Sequence, residues 1–539
     1  IGIVIAGVQR WGIRPRRLVF TGEASLILGL VFVILVSGFL LEGWRIVVTD
    51  DPWGQWSPVG FAVGEVSSLV ANDEALRVAH VIVWWGHLLL VFGLIAWAPY
   101  TKLIHVVTSP LNIYTSNLDS PTGVLKRIDF DSAETFGVNQ LEQFTWKDLL
   151  DLDACTECGI CTSVCPANTV GKALSPRDII LDLRGKLSIH ANRKAEGEEE
   201  VGLVGSKPAL TSEALFQCTT CAACVEACPV AIEQYPKIMD MRRFQVMEEA
   251  EYPQQMQDAI ASLEKRGHPF TGTQASRTDW TDGLDVPHFS EVDQPEVLLW
   301  VGCGGALVDR NQKTPRAVAN LLRHADVRFG ILGKDEACTG DPARRIGNEF
   351  LFETLVKQNI KTLESHQVHT VITPCPHCFN TFKNEYPQFG AQLEVYHHTT
   401  FLAKLIGDGR LKVDANVLDN VTFHDPCYLS RHNEITDAPR RVLASITKNP
   451  PTEMPRHGKQ SFCCGGGGGL SFVDEPAGQR VNQERAKEAL ETGADTVAVA
   501  CPFCTTMLED GIGAVKGDRQ VEEKDIAELI WESVDNRQA

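Results

Sequence analysis

Seventeen cysteines occur in this 539-residue sequence, and the two densest sets have metal-ligand spacing. They read CTECGICTSVCP and CTTCAACVEACP, so each has the pattern CxxCxxCxxxCP. In this pattern three thiolates hold one cubane [4Fe-4S] cluster and the fourth joins a second cluster, whereas structural zinc requires two CxxC pairs. We therefore predict two cubanes with crossed ligands, in preference to zinc or disulfides. The two ligand sets are Cys155, Cys158, Cys161 and Cys228, and Cys218, Cys221, Cys224 and Cys165.

The remaining cysteines lie in an internal repeat of the C-terminal part. The interval from Cys338 to Cys375 equals the interval from Cys464 to Cys501, and this alignment places Ala337 opposite Cys463. The first copy therefore has one cysteine fewer than the second. The first copy contains Cys303, Cys338, Cys375 and Cys378, and the second contains Cys427, Cys463, Cys464, Cys501 and Cys504.

Short β-branched runs precede the cysteines of each copy and indicate buried strands, while segments such as FLFETLVKQNIKTL indicate helices between them. This alternation predicts an α/β domain with a largely parallel sheet. Open sheets of this kind build their sites just beyond the carboxyl ends of strands, which is where the cysteines lie.

The N-terminal part contains two apolar stretches, Leu18 to Leu41 and Val78 to Ala98, that are long enough to span a bilayer. The apolar start, Ile1 to Val8, is too short to do so, and we expect further membrane helices upstream of it. Arginines cluster in the loop before the first stretch, which predicts that this loop and everything after Lys102 are cytoplasmic. Thiolates stay free for metal in that reducing compartment. The sequence thus predicts a multi-pass protein of the inner cell membrane.

Histidines within this part are candidate haem ligands. His87 and His105 lie 18 residues apart, so both imidazoles are predicted to leave the same helix face about 27 Å apart, although Pro99 between them can kink the helix. Such a pair fits two b haems, and the spacing resembles the haem-bearing helix of the respiratory nitrate reductase gamma subunit. His80 lies two turns before His87 and is an alternative ligand. Polar packing between helices is the competing interpretation.

The chain is too long for one core and is predicted to be multidomain. The net charge of −19 argues against a nucleic-acid partner, whose phosphates would be repelled. The predicted parts are an α-helical transmembrane haem-binding anchor (1–107), a connector (108–150), a mainly α-helical two-cluster ferredoxin domain (151–265), a linker rich in small and polar residues (266–294), and the two α/β repeats (295–412 and 413–539).

The repeat resembles the cysteine-rich CCG domain, which is shared by the heterodisulfide reductase catalytic subunit and by iron-sulfur subunits of anaerobic glycerol-3-phosphate dehydrogenase and glycolate oxidase. The resemblance implies a noncubane [4Fe-4S] cluster at a catalytic site formed by all five cysteines of the second copy. Gly465 to Gly469 would let the backbone approach this cluster with amides directed at its sulfurs. A phosphate loop is disfavoured because no Lys-Ser/Thr pair follows. The four cysteines of the first copy accept a third cubane, a zinc ion or a vacant structural site.

Longer segments, such as FTWKDLLDLDACTECGIC and HDPCYLSRHNE, resemble membrane-bound iron-sulfur oxidoreductases of electron-transfer flavoprotein. This resemblance implies electron flow from reduced flavoprotein through clusters and b haems to menaquinone, the substrate, in the lipid bilayer. A disulfide reductase coupled to a membrane carrier and an electron-transfer subunit working with further respiratory subunits remain alternatives. His397, His398 and His424 lie near cluster ligands and could tune or protonate the site, but lone histidines in loops are more often packing or surface residues, which is the interpretation preferred here.

Overall fold

The structure is a computed structural model that describes all residues except 16, 19, 117–122, 197–201, 415–417, 477 and 536–539. It divides into two compact units. The first comprises Ile1–Tyr114 with Asp153–Gly159, and the second comprises Thr115–Leu152 with Ile160–Ala539.

Two long apolar helices, Gly22–Thr49 and Asp73–Trp97, dominate the first unit, with Pro58–Ser68 between them. Each long helix begins at a side chain that accepts a backbone N–H, Thr21 for the first and Asn72 for the second, as helix starts prefer. By length and composition both helices could cross a membrane. The remaining helical segments of this part are Gly2–Gly7, Val8–Ile13, Gly54–Trp56, Ala98–Tyr100, Lys102–Ile104 and His105–Tyr114.

The helix predicted to carry both His87 and His105 is interrupted. The helix that contains His87 ends at Trp97, and Thr101 has an extended backbone with φ −131°. His105 then begins a separate helix. Pro99 lies at the break and has no N–H with which to continue the helical hydrogen bonds. The prediction that the two imidazoles leave one face of one helix is therefore wrong.

The region of the dense cysteine sets is mainly helical, as predicted. Buried Lys237 anchors one helix through ion pairs to Asp148, at 3.0 Å, and to Asp151, at 2.5 Å. The helices span Trp146–Ala154, Pro176–Glu196, Ser212–Phe216, Gln234–Met247 and Gln254–Arg266, with single turns at Leu141–Gln143, Ile160–Ser163, Pro166–Thr169 and Ala223–Glu226.

Two parallel sheets form the C-terminal part, which confirms the predicted α/β class. The strands are β1 (Val297–Leu299), β2 (Phe329–Gly330), β3 (Thr370–Thr373), β4 (Glu394–His397), β5 (Val421–Phe423), β6 (Thr496–Val499) and β7 (Glu522–Asp525). Their orders are β2-β1-β3-β4 and β5-β6-β7, with parallel pairing throughout. The α-helices around them are Gly302–Leu307, Lys313–His324, Asp341–Ile346, Glu349–Ser365, Pro376–Asn380, His398–Gly407, Cys427–Ser430, Asp437–Ala444, Val481–Glu491, Pro502–Val515 and Ile526–Asp535.

The segment 266–294, which its composition marks as a linker, packs against the first repeat. Trp280 is 1% exposed, and buried Arg277 forms an ion pair with Glu336. The Gly267 carbonyl accepts the backbone N–H of Cys338 at 2.8 Å. Two large buried side chains thus hold a stretch whose other residues are mostly small and polar, and this segment helps to shape the first site.

Candidate iron-sulfur sites

The two CxxCxxC loops have the same unusual backbone. Glu157 and Gly159 in the first loop, and Thr220 and Ala222 in the second, all have φ between 52° and 71°. These residues occupy matching positions in the two loops, and the left-handed conformation turns successive amides toward one side. In the second loop the Thr220 N–H reaches the Sγ of Cys218 at 3.4 Å. Both loops are therefore shaped to surround an anionic group with sulfur ligands.

One predicted cubane set lies wholly within the second unit, and its thiols converge. Burial raises the pKa of Cys165, and the neighbouring Cys221 and Cys218 raise it further. The pKa of Cys224 is raised by burial and then by the same two thiols and Cys165. The structure thus brings the fourth cysteine of the first set to the first three of the second.

The other cubane set is divided between the units. Cys155 and Cys158 belong to the first unit, and Cys161 and Cys228 belong to the second. Cys155 and Cys161 are buried, and the other two are partly buried. Within the second unit the Ile232 N–H lies 3.4 Å from the Sγ of Cys228. This ligand set stays a prediction.

All five cysteines of the second repeat are buried in one place. Cys427 follows β5 and Cys501 follows β6, so parallel pairing brings them to the same sheet edge. The Sγ atoms of Cys464 and Cys504 are 3.4 Å apart. The Cys463 thiol lies beside those of Cys427 and Cys464. A convergent, buried set of five thiols fits a cluster held by five thiolates, a group that would supply one-electron chemistry.

The glycine run after Cys463 and Cys464 has two roles. The Gly465 N–H donates to the Sγ of Cys463 at 3.3 Å, as the sequence predicts for amides at the site. A Cβ on Gly468, however, would lie 2.1 Å from the Cys218 carbonyl oxygen. Part of the glycine run therefore allows the second CxxCxxC loop, residues 218–224, to pack closely against it. This loop is called the ferredoxin loop below, and the sequence did not reveal the contact.

The second repeat and the ferredoxin loop share a thiol contact. Cys221 and Cys463 are neighbours in one buried cluster, and the Cys463 thiol, followed by burial, raises the pKa of Cys221 well above its usual range. Arg431 donates to the Cys221 carbonyl at 2.7 Å and to the Ser461 carbonyl at 2.5 Å. A buried cation thus ties the two loops together beside thiolates whose negative charge it offsets.

The four thiols of the first repeat also converge. The Sγ atoms of Cys303 and Cys338 are 3.8 Å apart, and Cys375 contacts Cys378. The Thr339 hydroxyl donates to the Sγ of Cys378 at 3.7 Å. Four buried thiols accept either a cubane or zinc, so the identity of the metal here stays a prediction.

The CPHC and CPFC motifs bring the two repeats together. The Cys375 thiol lies beside the Cys501 thiol. Burial raises the pKa of Cys501, but the contacts with Cys375 and Cys504 outweigh burial and lower the pKa to about 6. The sites of the two repeats are therefore neighbours.

The three histidines interpreted as packing or surface residues are all buried. His398 Nε2 lies 3.0 Å from Asp525 Oδ1, and His397 Nδ1 lies 2.7 Å from the Thr399 hydroxyl, so these two have packing roles. His424 is different, because it lies beside thiols of the second site.

Comparison with known families agrees with this arrangement. The CCG family, described as a cysteine-rich domain, matches twice, at residues 297–383 and 421–509, which confirms the internal repeat. The 4Fe-4S dicluster domain matches residues 151–232. The chain belongs to the CCG-domain iron-sulfur oxidoreductases.

Named relatives of this oxidoreductase cover most of its length. It is 35% identical to the EtfAB:quinone oxidoreductase of Syntrophomonas wolfei, over 99% of this chain and 80% of that one. It is 38% identical to a "Probable membrane-anchored ferredoxin" of Chromohalobacter salexigens, over 88% of this chain and 75% of that protein. A subunit of the dihydromethanophenazine:CoB–CoM heterodisulfide reductase of Methanosarcina barkeri is 32% identical, over 73% of this chain and 96% of its own. The protein is an iron-sulfur oxidoreductase of electron transfer, and the apolar helices agree with membrane association.

Arg242 is a structural residue of this oxidoreductase that sequence reasoning missed. Its guanidinium donates to four backbone carbonyls, including Cys218 at 2.8 Å, Arg345 at 2.8 Å and Gly468 at 3.1 Å. It therefore joins the ferredoxin loop to both repeats. Buried residues, polar and apolar, lie on every side of its helix, Gln234–Met247, so no single apolar stripe marked the buried face.

Proposed function

We propose that this oxidoreductase takes electrons from reduced electron-transfer flavoprotein at its CCG repeats and delivers them to menaquinone in the membrane. The resemblance to flavoprotein:quinone oxidoreductases supports the partners, and the relative named EtfAB:quinone oxidoreductase agrees with them.

The contact between Cys221 and Cys463 carries the proposal. It makes the second repeat and the second CxxCxxC loop one continuous buried region. Electron transfer between two sites needs such a connection, whereas a self-contained thiol chemistry does not. The second repeat touches both neighbours, because Cys501 lies beside Cys375 of the first repeat and Cys463 lies beside Cys221 of the second CxxCxxC loop. Iron-sulfur clusters held there would supply the one-electron chemistry.

We further propose a multi-pass membrane anchor with the cluster domains on the cytoplasmic side, and b haem ligated by His87. Ser37 supports this ligand. Its hydroxyl donates to the Val33 carbonyl at 2.7 Å and lies 2.8 Å from His87 Nδ1, so Nδ1–H donates to the hydroxyl and the Nε2 lone pair stays free for iron. Replacing His87 by Ala should remove the absorbance of the haem that it ligates, while His80→Ala should retain it.

The test of the main proposal uses the full chain in membranes with all its cofactors. An acyl-CoA dehydrogenase, its acyl-CoA and electron-transfer flavoprotein are added, and reduction of a menaquinone analogue is followed by absorbance. We expect quinone reduction that requires the flavoprotein.

A dithiol of low molecular weight replaces the flavoprotein in the control arm. Quinone reduction by the dithiol alone would contradict the proposal and favour the disulfide reductase, to which the similarity with the heterodisulfide reductase of Methanosarcina barkeri also points. Absence of reduction with flavoprotein and with dithiol would place the catalytic centre on another polypeptide.

A further inference from the structure

His424 lies directly at the second-repeat site. It follows β5, its backbone N–H donates to the Ala498 carbonyl at 2.9 Å, and it is 1% exposed. Its ring nitrogen and the Sγ atoms of Cys464 and Cys504 all lie within 4.8 Å of one another. The imidazole is thus fixed by the sheet beside two of the five thiols.

Arg485 determines which ring nitrogen carries the hydrogen. Its Nε donates to His424 Nδ1 at 2.9 Å. A guanidinium can only donate, so Nδ1 must present a lone pair, and a neutral ring then carries its hydrogen on Nε2. Arg485 is itself held by Glu488 at 2.7 Å and by the Arg456 carbonyl at 2.8 Å. Burial, followed by the positive charge of Arg485, holds the pKa of His424 well below its usual range, which agrees with a neutral ring.

The Nε2–H has no hydrogen-bond partner among the described residues. Leaving a buried donor unpaired costs about 1–3 kcal/mol, so such a group normally has a partner. We propose that His424 donates Nε2–H to the sulfur atoms of the second-repeat cluster, and that it tunes the cluster's reduction potential without ligating iron. Ligation through Nε2 would move the hydrogen to Nδ1, where it would face the N–H of Arg485.

The first repeat supports a donor at this position. Trp300 occupies the place of His424, three residues before the first cysteine of its repeat. Its backbone N–H donates to the Ile372 carbonyl at 2.8 Å, and Ile372 corresponds to Ala498 in the repeat. The indole Nε1–H is also buried without a partner among the described residues. An indole nitrogen donates and does not ligate, so the feature common to the two repeats is a ring N–H.

A hydrogen bond to sulfur favours the reduced, more negative state of a cluster and raises its reduction potential. Removing the donor should therefore lower the potential. A charge-assisted hydrogen bond of about 1.5 kcal/mol corresponds to roughly a tenfold change in the ratio of reduced to oxidised cluster, or about 59 mV for one electron.

The experiment compares the holoprotein with its His424→Phe and His424→Gln variants in redox titrations followed by electron paramagnetic resonance. Chemical reductant and mediator dyes set the potential. We expect the second-repeat signal of His424→Phe to titrate at a lower potential, so that the ratio of reduced to oxidised cluster at a given potential falls about tenfold. His424→Gln, whose amide can still donate, should stay near the parent. His398→Gln, a buried histidine bonded to Asp525, is the matched control and should leave the signal unchanged.

An unchanged potential in His424→Phe, or an equal shift in His424→Gln, would overturn the proposal. If His424→Phe does not hold the cluster, nitrogen coupling in the parent protein decides. Weak coupling between the His424 nitrogen and the cluster spin supports a hydrogen bond. The strong coupling of a nitrogen bonded to iron would overturn the proposal. The inference rests on the cluster of the proposed function, but the titration involves neither flavoprotein nor quinone, so the two can fail separately.

Discussion

In the first repeat the position of Cys463 is held by Ala337, and the loop continues toward Asp341. In the second repeat the corresponding stretch is a run of glycines, and the residue opposite Asp341 is Gly467. Asp341 accepts from His377 Nδ1 at 2.9 Å and from Arg345 at 3.0 Å. Charged contacts therefore order this loop of the first repeat, whereas the glycine loop of the second repeat has no side chains. These are called the first loop and the second loop below.

This difference follows from what each loop faces. The second loop packs against the carbonyls of the ferredoxin loop, at distances that exclude any side chain. In the first loop, among the described residues, a Cβ on Gly340 would meet the Phe352 side chain and not a ferredoxin carbonyl, and the loop fills its space with a carboxylate and its partners. The comparison indicates that the second repeat is specialised for contact with the ferredoxin clusters, while the first supports it through Cys375 and Cys501.

Cysteines at equivalent positions provide the strongest test of this asymmetry. We expect Cys464→Ser to abolish the second-repeat resonance signal and flavoprotein-dependent quinone reduction, because it removes a ligand from the site that meets the ferredoxin loops. Cys338→Ser should lower the iron content by no more than one cluster and keep the second-repeat signal. Equal loss of that signal in both variants would show that the two sites form one unit.

Glycine substitutions test the close approach of the second loop. Gly468 has φ 68° and Gly493 has φ 75°, but only the first would bring its Cβ against another backbone. Gly493→Ala should cost about 1 kcal/mol of stability through left-handed strain alone. Gly468→Ala should cost several-fold more, as measured by thermal unfolding, and should also slow electron transfer to the ferredoxin clusters. Similar costs for the two variants would contradict the packing argument.

The charged contacts of the first loop should matter for stability more than for electron transfer. Burial raises the pKa of Asp341, but His377 and Arg345 outweigh burial and hold the pKa well below its usual range. Asp341→Asn leaves Arg345 with less compensation and should cost about 3 kcal/mol in thermal unfolding. Asp408→Asn, at an exposed position, is the control and should cost almost nothing. An Asp341→Asn variant of parental stability would show that these contacts do not order the loop.

Trp300 gives the smallest expected effect. Trp300→Phe removes the ring N–H from the first repeat and keeps an aromatic ring against Phe382, whose centroid is 4.8 Å away. We expect the second-repeat potential to be unchanged, and the iron signal of the first repeat to shift if that site holds a cubane. A shift in the second-repeat potential would mean that the two sites are electronically coupled.

Local spacing predicted much of this molecule. The strands that precede Cys427 and Cys501 were predicted from short sequence patterns, and the structure contains them. Cys165 also lies near the second cysteine set, while the crossed ligand assignment stays a prediction. The prediction of one helix through His87 and His105 failed because it rested on residue spacing, whereas Pro99 cannot continue the helical hydrogen bonds and the backbone is extended at Thr101.

Contacts between distant segments could not be predicted. The contact of Cys221 with Cys463 depends on how two loops that are distant in sequence pack together. The spacing within either motif gives no information about where the other motif lies. The donor role proposed for His424 could not be predicted for the same reason. It depends on the hydrogen bond from Arg485, 61 residues away, which fixes the tautomer of the ring.

The neighbouring thiols of the two repeats also bear on how the protein matures. Cys303 lies 3.8 Å from Cys338, Cys464 lies 3.4 Å from Cys504, and Cys375 contacts Cys501. Before iron is inserted, such pairs are poised to oxidise to disulfides, one of which would cross-link the repeats. We therefore expect iron delivery to precede exposure to oxidants. A chain that is oxidised first could not assemble its clusters until its disulfides are reduced.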